Sequence, residues 1–310
     1  EDLDNLPYPA WDLLNNPMSY IKAAHRSRVY ANEEKRSMTL YTSRGCPFYC
    51  TFCASHTIHG RKLRLHSLEH IFAEIDKLVR VYDINLLLIE DDIFNFNRNR
   101  TIEFCKGLID RWGNRFEIEF PNGIYIPTLD DEVVKWLSRA GVKDVHIAVE
   151  SGHQYTLTNI VKKGGLTLKK IKEAVAVLNK YDIIIRNFFI IGFPGETKEM
   201  IRKSLQFAAE LNSDWTCVFI ATPIHGSDLY RMAHEQGYLE NSNNGKNKIV
   251  SPGSLENRHY LRGGMKTEDF TPEELEELQY DANLQINFIN NRNLINKRYD
   301  RAEVLYGDVV

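Results

Sequence analysis

Three of the five cysteines lie within one short loop, with the spacing Cys-x3-Cys-x2-Cys. They are Cys46, Cys50 and Cys53, and the nearby Gly45 and Pro47 interrupt regular secondary structure. Three thiolates favour an iron–sulfur cluster or a zinc ion, because both prefer soft sulfur ligands. A four-iron cluster held by three cysteines would leave one iron without a protein ligand, and chemistry could occur there.

The same loop also permits a zinc site made of three cysteines and one histidine. His56 or His59 would then supply the fourth ligand. Three buried thiols without any metal are a further alternative, which the close grouping of the cysteines disfavours. The loop on its own leaves the choice between iron–sulfur and zinc open.

The composition is that of an ordinary globular protein, with 43% apolar and 26% charged residues among 310. A net charge of -3 gives no support to nucleic-acid binding. No apolar run is long enough to span a membrane, and no targeting segment is visible. Because the cysteines do not form a disulfide framework, we expect a reducing, cytoplasmic setting. The chain begins at Glu1 without an initiating Met, which indicates a processed or partial chain.

The elements that position the loop follow a regular alternation of strand and helix patterns. We count six strand–helix units between residues 38 and 237, which predicts an α/β fold with parallel strands and right-handed crossovers. Six units can curl into a partial (β/α)6 barrel or lie as an open doubly wound sheet. The predicted strands are 38–43, 85–90, 116–120, 144–149, 183–191 and 215–221. The predicted helices begin after Ser67 and then cover about 98–112, 130–140, 168–180 and 197–211.

The chain is predicted to consist of three segments. Residues 1–37 are predicted to be an extended N-terminal linker, and residues 38–237 the barrel. Residues 238–310 form a C-terminal extension with a polar loop and a helix from Thr271 to about Asn290. That helix has a proline at its first position and acids in its first turn, which are typical of a helix start.

Polar or glycine-rich residues follow all six predicted strands. In parallel α/β folds the site lies at the carboxyl ends of the strands. The residues at these ends are the cysteine loop, 90–92, 122–123, 150–152, 192–195 and Pro223. We therefore expect them to surround one cavity, with the cysteine loop at its edge.

Alternation along two strands places further side chains on shared faces. His146 is predicted to share a face with Glu150, although a hydrogen-bonded core histidine is the preferred interpretation. Arg186 shares a face with Phe188 and requires an anionic partner, either a ligand carboxylate or Glu150. Cys105 and Cys217 are predicted to be buried structural thiols.

Two strand ends allow both a structural and a ligand-binding interpretation. Asp91 or Asp92 would accept hydrogen bonds from a bound ammonium group, or would simply stabilise a helix start. The turn 192–195 would let a flat ring approach the backbone closely, or is a plain strand-to-helix turn.

The cysteine loop resembles the cluster-binding loop of the radical S-adenosylmethionine (SAM) enzymes. Motif, order and spacing agree with that family over about residues 38–237. The matching residues are Cys46, Cys50, Cys53 and the aromatic Phe52, then Glu150-Ser151-Gly152 after the fourth strand and residues 192–197 after the fifth. The resemblance implies a partial barrel that holds a [4Fe-4S] cluster and SAM.

The chain also resembles the subgroup of that family that carries an N-terminal cobalamin-binding domain. The residues concerned are 6–13, Arg44 to Pro47, and Pro223 to Ser227. Only 45 residues precede Cys46, which are too few for such a domain, and they contain no Asp-x-His-x-x-Gly. The domain is either missing from this chain or not needed, and cobalamin is therefore an additional cofactor that only the subgroup implies.

The resemblance implies a role for each matching residue. Cys46, Cys50 and Cys53 would bind the [4Fe-4S] cluster, whose open iron would chelate SAM. One electron would cleave the sulfonium and give a 5′-deoxyadenosyl radical that abstracts hydrogen from an unactivated carbon. The electron donor would be a protein such as flavodoxin or ferredoxin, and the unknown substrate a small molecule or peptide.

The other matching residues would bind SAM itself. Asp91 or Asp92 would bind the methionine ammonium group, and Glu150 the ribose or ammonium. Arg186 is a candidate for the carboxylate. The residues that would border the adenine are Phe52, Gly192, Phe193 and Pro194.

The sequence leaves three functions open. The first is a radical SAM enzyme, within which cobalamin-dependent methylation of an unactivated carbon or phosphorus is favoured over ring formation or rearrangement. The second is a non-catalytic zinc module. The third is an assembly subunit that takes its cobalamin domain from a partner protein.

Overall fold

The computed structural model describes residues 2–23, 35–211, 213–239 and 265–289. Most of the predicted polar loop 238–270 and the predicted helix end at Asn290 lie outside these residues. The strands are β1 Ser37–Leu40, β2 Ser43–Arg44, β3 Arg64–Leu65, β4 Leu86–Ile89, β5 Glu117–Glu119, β6 Asp144–Glu150, β7 Ile184–Ile191 and β8 Trp215–Ile220. The helices are α1 Pro17–Ala23, α2 His56–His59, α3 Leu68–Tyr82, α4 Arg98–Trp112, α5 Asp131–Arg139, α6 Leu168–Lys180, α7 Lys198–Glu210, α8 Asp228–Glu235 and α9 Pro272–Leu284.

Six parallel strands form a partial barrel. Strands β1, β4 and β5 pair in that order, as do β6, β7 and β8. Two parallel bridges, Ile118 with Val142 and Ile124 with Ile147, join β5 and the residues after it to the second group. The order along the wall is therefore β1-β4-β5-β6-β7-β8, which confirms the predicted α/β class and its six parallel strands.

Side-chain caps fix where the helices of the wall begin. In each of α3 to α9 the residue before the helix accepts a hydrogen bond from a backbone N–H of the first turn. The capping residues are Ser67, Asn97, Asp130, Thr167, Thr197, Ser227 and Thr271. Because each cap satisfies an N–H that the helix leaves unpaired, the loops at the strand ends stop at defined points.

The core lies between the strands and the surrounding helices. Val145, Ile147 and Val149 of β6 are at most 1% exposed and belong to the main core together with residues of α6 such as Ile171. The alternate residues of β6, such as His146, are half-buried and face the inner side of the wall. This period of two leaves one face of each strand for packing and the other for a cavity.

Helix α9 and the π-helical turn Gln285–Ile289 that continues it, together called the C-terminal helix, cover the free edge of β8 with side-chain amides. Asn287 accepts from Thr216 N at 2.8 Å and donates to Thr216 O at 2.7 Å. Asn283 accepts from Val218 N at 2.9 Å and donates to Val218 O at 3.1 Å, and Gln279 donates to the same carbonyl at 2.9 Å. The spacing of four residues places all three amides on one side of the helix. The edge of the last strand is thus paired without a further strand.

The described helices include none that combines the length and the apolar character required to cross a membrane.

Candidate active site

The cysteine loop is the loop of a small hairpin that follows β1. Its two strands β2 and β3 pair antiparallel, with Ser43 opposite Leu65. Gly45 has φ +92°, and a Cβ at this position would lie 2.5 Å from the carbonyl oxygen of Lys62. Since no larger residue fits this turn, the chain turns sharply immediately before Cys46.

The middle of the loop is anchored to the opposite side of the barrel. The Thr51 N–H donates to the carbonyl of Val161 at 3.0 Å, and its hydroxyl donates to that of Ile160 at 2.9 Å. The carbonyl of Thr51 accepts from Leu229 N at the start of α8, at 2.7 Å. These bonds connect the loop to the residues after β6 and after β8, so the loop has a fixed position within the barrel mouth.

The three thiols lie close enough to affect one another electrostatically. Cys46, Cys50 and Cys53 are all free and partly exposed. Burial raises the pKa of Cys50 to about 11, and the neighbouring Cys46 and Cys53 add to this effect. Burial likewise raises the pKa of Cys46, with a further contribution from Cys53. Burial thus disfavours the thiolate forms of Cys46 and Cys50, and a bound metal centre would favour them.

The spacing of the loop fits a multi-iron cluster better than a single ion. Among the residues that the structure describes, no three cysteines and histidines of this loop bring ligand atoms within 4.8 Å of one another. With Zn–S bonds of about 2.3 Å, the ligands of one zinc ion lie roughly 4 Å apart. His59 Nδ1 is moreover 2.8 Å from Asp92 Oδ2. The arrangement therefore disfavours the zinc alternative.

Asp91 supports the start of the hairpin from within the protein. It is 1% exposed. Its Oδ1 accepts from Thr42 N at 2.6 Å, and its Oδ2 accepts from the hydroxyls of Thr42 and Ser43 at 2.5 and 2.7 Å. Both oxygens therefore have protein partners, although burial still raises the pKa of Asp91. The structure places Asp91 beneath the loop as a structural support.

Asp92 lies at the loop itself. Its Oδ2 accepts from Gly45 N at 3.1 Å and pairs with His59 at 2.8 Å. Its side chain is 13% exposed. Of the two predicted aspartates, Asp92 is thus the one next to the first cysteine and accessible from outside.

A lysine that the sequence analysis did not identify lies beside Glu150. Lys163 Nζ is 2.6 Å from Glu150 Oε1, and the two side chains are only 17% and 5% exposed. Burial opposes the charge of Lys163, but the Glu150 carboxylate and the Cys50 thiol outweigh it and raise the pKa of Lys163. A buried ion pair therefore borders the thiols. Its only sequence signal was a lysine in a short loop before Gly164-Gly165.

Arg186 has a different partner from the two that the sequence suggested. Its Nη2 lies 2.6 Å from Asp144 Oδ2, whereas Glu150 pairs with Lys163. The Glu150 alternative is therefore wrong. Arg186 is the third residue of β7, five residues before Ile191, which corresponds to roughly 16 Å along a strand. It thus lies towards the amino end of the barrel, away from the cysteine loop.

His146 lies on the same face of the sheet as Arg186. The two residues are opposite each other in register, and the His146 ring packs against Phe188 with centroids 5.1 Å apart. His146 Nε2 is 3.8 Å from Asp144 Oδ1. The surroundings of His146 combine an aromatic ring with charged groups.

The turn after β7 is buried and supported by a carboxylate. Gly192 has φ +88°, and Glu196 Oε2 accepts from the N–H groups of Gly192 and Phe193 at 2.8 and 3.3 Å. Burial raises the pKa of Glu196 to about 7. In the sequence Glu196 is only one member of the motif 192–197, and its role in holding the turn 192–195 depends on the folded chain.

The predicted adenine-bordering aromatics meet within a small second core. Phe193 is fully buried, and its ring centroid is 6.2 Å from that of Phe52. Phe52 packs at the edge of this core, which also contains Val161 and Leu229. The structure thus joins Phe52 of the cysteine loop to the Gly192–Pro194 turn, and the buried Phe193 ring serves packing there.

Comparison with known proteins identifies the family. The model of the Radical SAM superfamily matches residues 40–208, which is more than half of the chain. The chain belongs to the radical SAM superfamily. It is therefore an enzyme of a family whose cofactors are a [4Fe-4S] cluster and SAM.

Two of the similar curated proteins are named as methyltransferases. An uncharacterized methyltransferase of Pyrococcus horikoshii is 30% identical over 90% of this chain and 55% of its own length. Cytidylyl-2-hydroxyethylphosphonate methyltransferase of Streptomyces wedmorensis is 29% identical over 77% of this chain and 45% of its own length. The chain thus spans about half the length of these curated relatives.

A solved structure shows the same fold. The radical SAM methyltransferase TsrM from Kitasatospora setae, with cobalamin and a [4Fe-4S] cluster bound, superposes with a TM-score of 0.57 at 19% identity. The match covers 65% of this chain and 37% of TsrM. The predicted radical SAM barrel is thereby confirmed.

Proposed function

We propose that this chain is the SAM-cleaving part of a cobalamin-dependent methyltransferase that acts on an unactivated carbon or phosphorus atom. The observation that carries the proposal is the position of the three free thiols at the barrel mouth, beside the Lys163–Glu150 ion pair. The methyltransferase relatives and the N-terminal segment that resembles the cobalamin-containing subgroup support the type of reaction. The bound cluster and SAM would supply a one-electron cleavage that yields a 5′-deoxyadenosyl radical.

The residues of the chain would position these groups and exclude water. Cys46, Cys50 and Cys53 would hold the cluster through their sulfur atoms. Asp92 is proposed to accept hydrogen bonds from the methionine ammonium group, because Gly45 and His59 both bond to its Oδ2 and, within the described residues, Oδ1 remains for a ligand. Asp91 would support the loop without touching SAM.

The buried ion pair would contact the rest of the SAM molecule. Lys163 is proposed for the ligand carboxylate, since it lies near Cys50 while Arg186 lies towards the other end of the barrel. Glu150 would hold Lys163 and meet the ribose hydroxyls. The Gly192–Pro194 turn, with Phe52 next to it, would form one wall of the adenine site.

Anaerobic reconstitution tests the metal centre directly. With iron and sulfide, the chain should take up about four irons, and replacing the three loop cysteines by alanine should abolish the uptake. Cys105 is buried within α4 and provides the matched control, because Cys105→Ala should retain the iron. One zinc and no iron after anaerobic purification would instead support the zinc module.

The reaction is tested on the reduced, reconstituted protein. Dithionite, or a flavodoxin or ferredoxin as proposed physiological donor, should support conversion of SAM to 5′-deoxyadenosine. If added cobalamin then gives S-adenosylhomocysteine as well, methyl transfer is supported. Deoxyadenosine alone in the presence of cobalamin and candidate substrates would favour a ring-forming or rearranging enzyme. A chain that binds four irons and never cleaves SAM would contradict the catalytic proposal.

A further inference from the structure

We propose that Asp4, His66 and His70 form a binding site for one divalent transition-metal ion such as Zn²⁺. The site lies where the N-terminal segment meets the start of α3, and it shares no residue with the cysteine loop. Two imidazoles and one carboxylate are donors that suit zinc and related ions. The proposal does not depend on the proposed radical chemistry.

The spacing of the donor atoms is close to that of a metal site. His66 Nδ1 is 3.1 Å and His70 Nδ1 is 3.8 Å from the same oxygen, Asp4 Oδ1. All three donor atoms lie within 4.8 Å of one another. Zinc bonds of about 2.0 to 2.2 Å in a tetrahedral arrangement require donors roughly 3.3 Å apart. The two distances from Asp4 Oδ1 to the imidazole nitrogens therefore lie within about 0.5 Å of that value.

The surroundings hold the three donors in place. Asp4 Oδ1 accepts from the N–H of Ser67 at 3.0 Å, which orients the carboxylate. The two imidazole rings are stacked, with centroids 4.6 Å apart and planes 14° from parallel. The Tyr8 ring packs against His70 with centroids 4.5 Å apart, and its hydroxyl donates to the His70 carbonyl at 3.2 Å. Such supporting contacts are typical of residues around metal ligands.

Hydrogen bonding without a metal ion accounts for only part of this arrangement. The 3.1 Å contact between Asp4 and His66 is a normal hydrogen bond, but 3.8 Å between Asp4 and His70 is beyond hydrogen-bond reach. Nevertheless, Nδ1 of His70 approaches the same oxygen. An ion between the three groups would satisfy both imidazoles. With three protein ligands, it would keep one position for water and would tie the N-terminal segment to α3.

Cobalt(II) is a suitable probe, because it occupies zinc sites and absorbs visible light. The full chain is first reconstituted with iron and sulfide so that the loop thiols are occupied, and Co²⁺ alone is then added. One Co²⁺ per chain should bind with visible d–d bands, and Zn²⁺ should displace it. Asp4→Asn and His70→Ala should each weaken Co²⁺ binding by roughly 100-fold or more.

The variants are chosen so that loss of metal can be separated from loss of fold. Asn at position 4 can still accept the Ser67 N–H, and His234→Ala changes an exposed histidine on α8 as the matched control. Circular dichroism and iron content are measured on the same samples. The proposal is overturned if the folded wild-type chain binds no stoichiometric Co²⁺, or if the variants bind it as tightly as His234→Ala does. Either result leaves the radical chemistry of the barrel unaffected.

Discussion

Lys163 Nζ lies 2.6 Å from Glu150 Oε1 at the point where the backbone of β6 leaves the sheet. Glu150 adopts φ +67°, a left-handed conformation that costs a non-glycine residue about 1 kcal/mol or more. The register of β6 against β7 shifts between Ala148 and Glu150. The left-handed backbone and the ion pair thus occur at the same residue, at the carboxyl end of β6.

Replacing Lys163 by methionine should both destabilise the chain and weaken SAM binding. The change leaves the Glu150 carboxylate buried without its partner, and such losses cost about 3 to 5 kcal/mol. The free energy of unfolding and the Kd for SAM on reconstituted protein measure the two effects. Lys162→Met, at the exposed neighbouring position, should change neither.

A double variant separates the two roles of Lys163. Lys163→Met combined with Glu150→Gln removes the unpaired charge and should recover most of the stability. SAM binding should remain weak, because the proposed carboxylate contact is still missing. Recovery of SAM binding together with stability would mean that Lys163 has only a structural role.

Replacing each of the two aspartates after β4 by alanine, one at a time, should give opposite results. Asp91→Ala removes the acceptor of three buried donors and should cost about 3 kcal/mol or more in unfolding free energy. Asp92→Ala removes a partly exposed carboxylate and should cost less stability but raise the Kd for SAM. Urea unfolding and SAM titration on both variants provide the comparison. A stable Asp91→Ala chain with lost SAM binding would assign the ligand contact to Asp91 instead.

Glu196 should make the stability depend on pH. Its pKa is raised by burial from 4.5 to about 7 in the folded chain. A raised pKa means that the folded state holds the proton more tightly than the unfolded state does. The stabilisation is therefore complete below pH 4.5 and is lost as the pH rises towards 7, in total about 3 kcal/mol.

The variant Glu196→Gln cannot lose a proton and should remove this part of the pH dependence. Glu74 has a pKa that burial also raises to about 7, so Glu74→Gln should remove a second, similar part. Unfolding free energies measured at several pH values between 4.5 and 8 test both variants. A slope that is identical in Glu196→Gln and in the wild type would contradict the assignment.

Removing a side-chain amide by which the C-terminal helix binds β8 should destabilise the last strand. Asn287→Ala leaves the N–H and the carbonyl of Thr216 without partners, which should cost about 2 kcal/mol. Hydrogen exchange at Thr216 should accelerate by more than that at residues of β6. Glu277→Ala, on an exposed position of the same helix, is the control and should leave the exchange unchanged.

The strands and helices of the barrel could be predicted from the sequence because local caps and periodic apolar patterns define them. The helices at 98–112 and 168–180 have the predicted bounds, since a cap and a 3.6-residue pattern define each of them. The strand ends were found because polar residues follow apolar runs. The predicted cap at Ser67 is confirmed by its bond from His70 N at 3.1 Å.

The partners of the site residues could not be predicted because they come from distant parts of the chain. Asp91 accepts hydrogen bonds from Thr42 and Ser43, which precede it by 49 and 48 positions in the chain. Nothing near Asp91 in the sequence distinguishes it from Asp92. Arg186 required an anion, but β6 offered both Asp144 and Glu150, and only the register decides between them. Lys163 resembles a solvated lysine in sequence, since burial is a property of the assembled barrel.

The amides of the C-terminal helix also bear on how the protein contacts other copies of itself. An open barrel ends in a strand whose backbone groups would otherwise invite a strand of another molecule. Asn283 and Asn287 already occupy the N–H and carbonyl groups of Val218 and Thr216. These backbone groups of β8 are thus not available to a strand of another molecule. The helix therefore ends the sheet at β8, and it does so with side-chain amides instead of the backbone groups of a further strand.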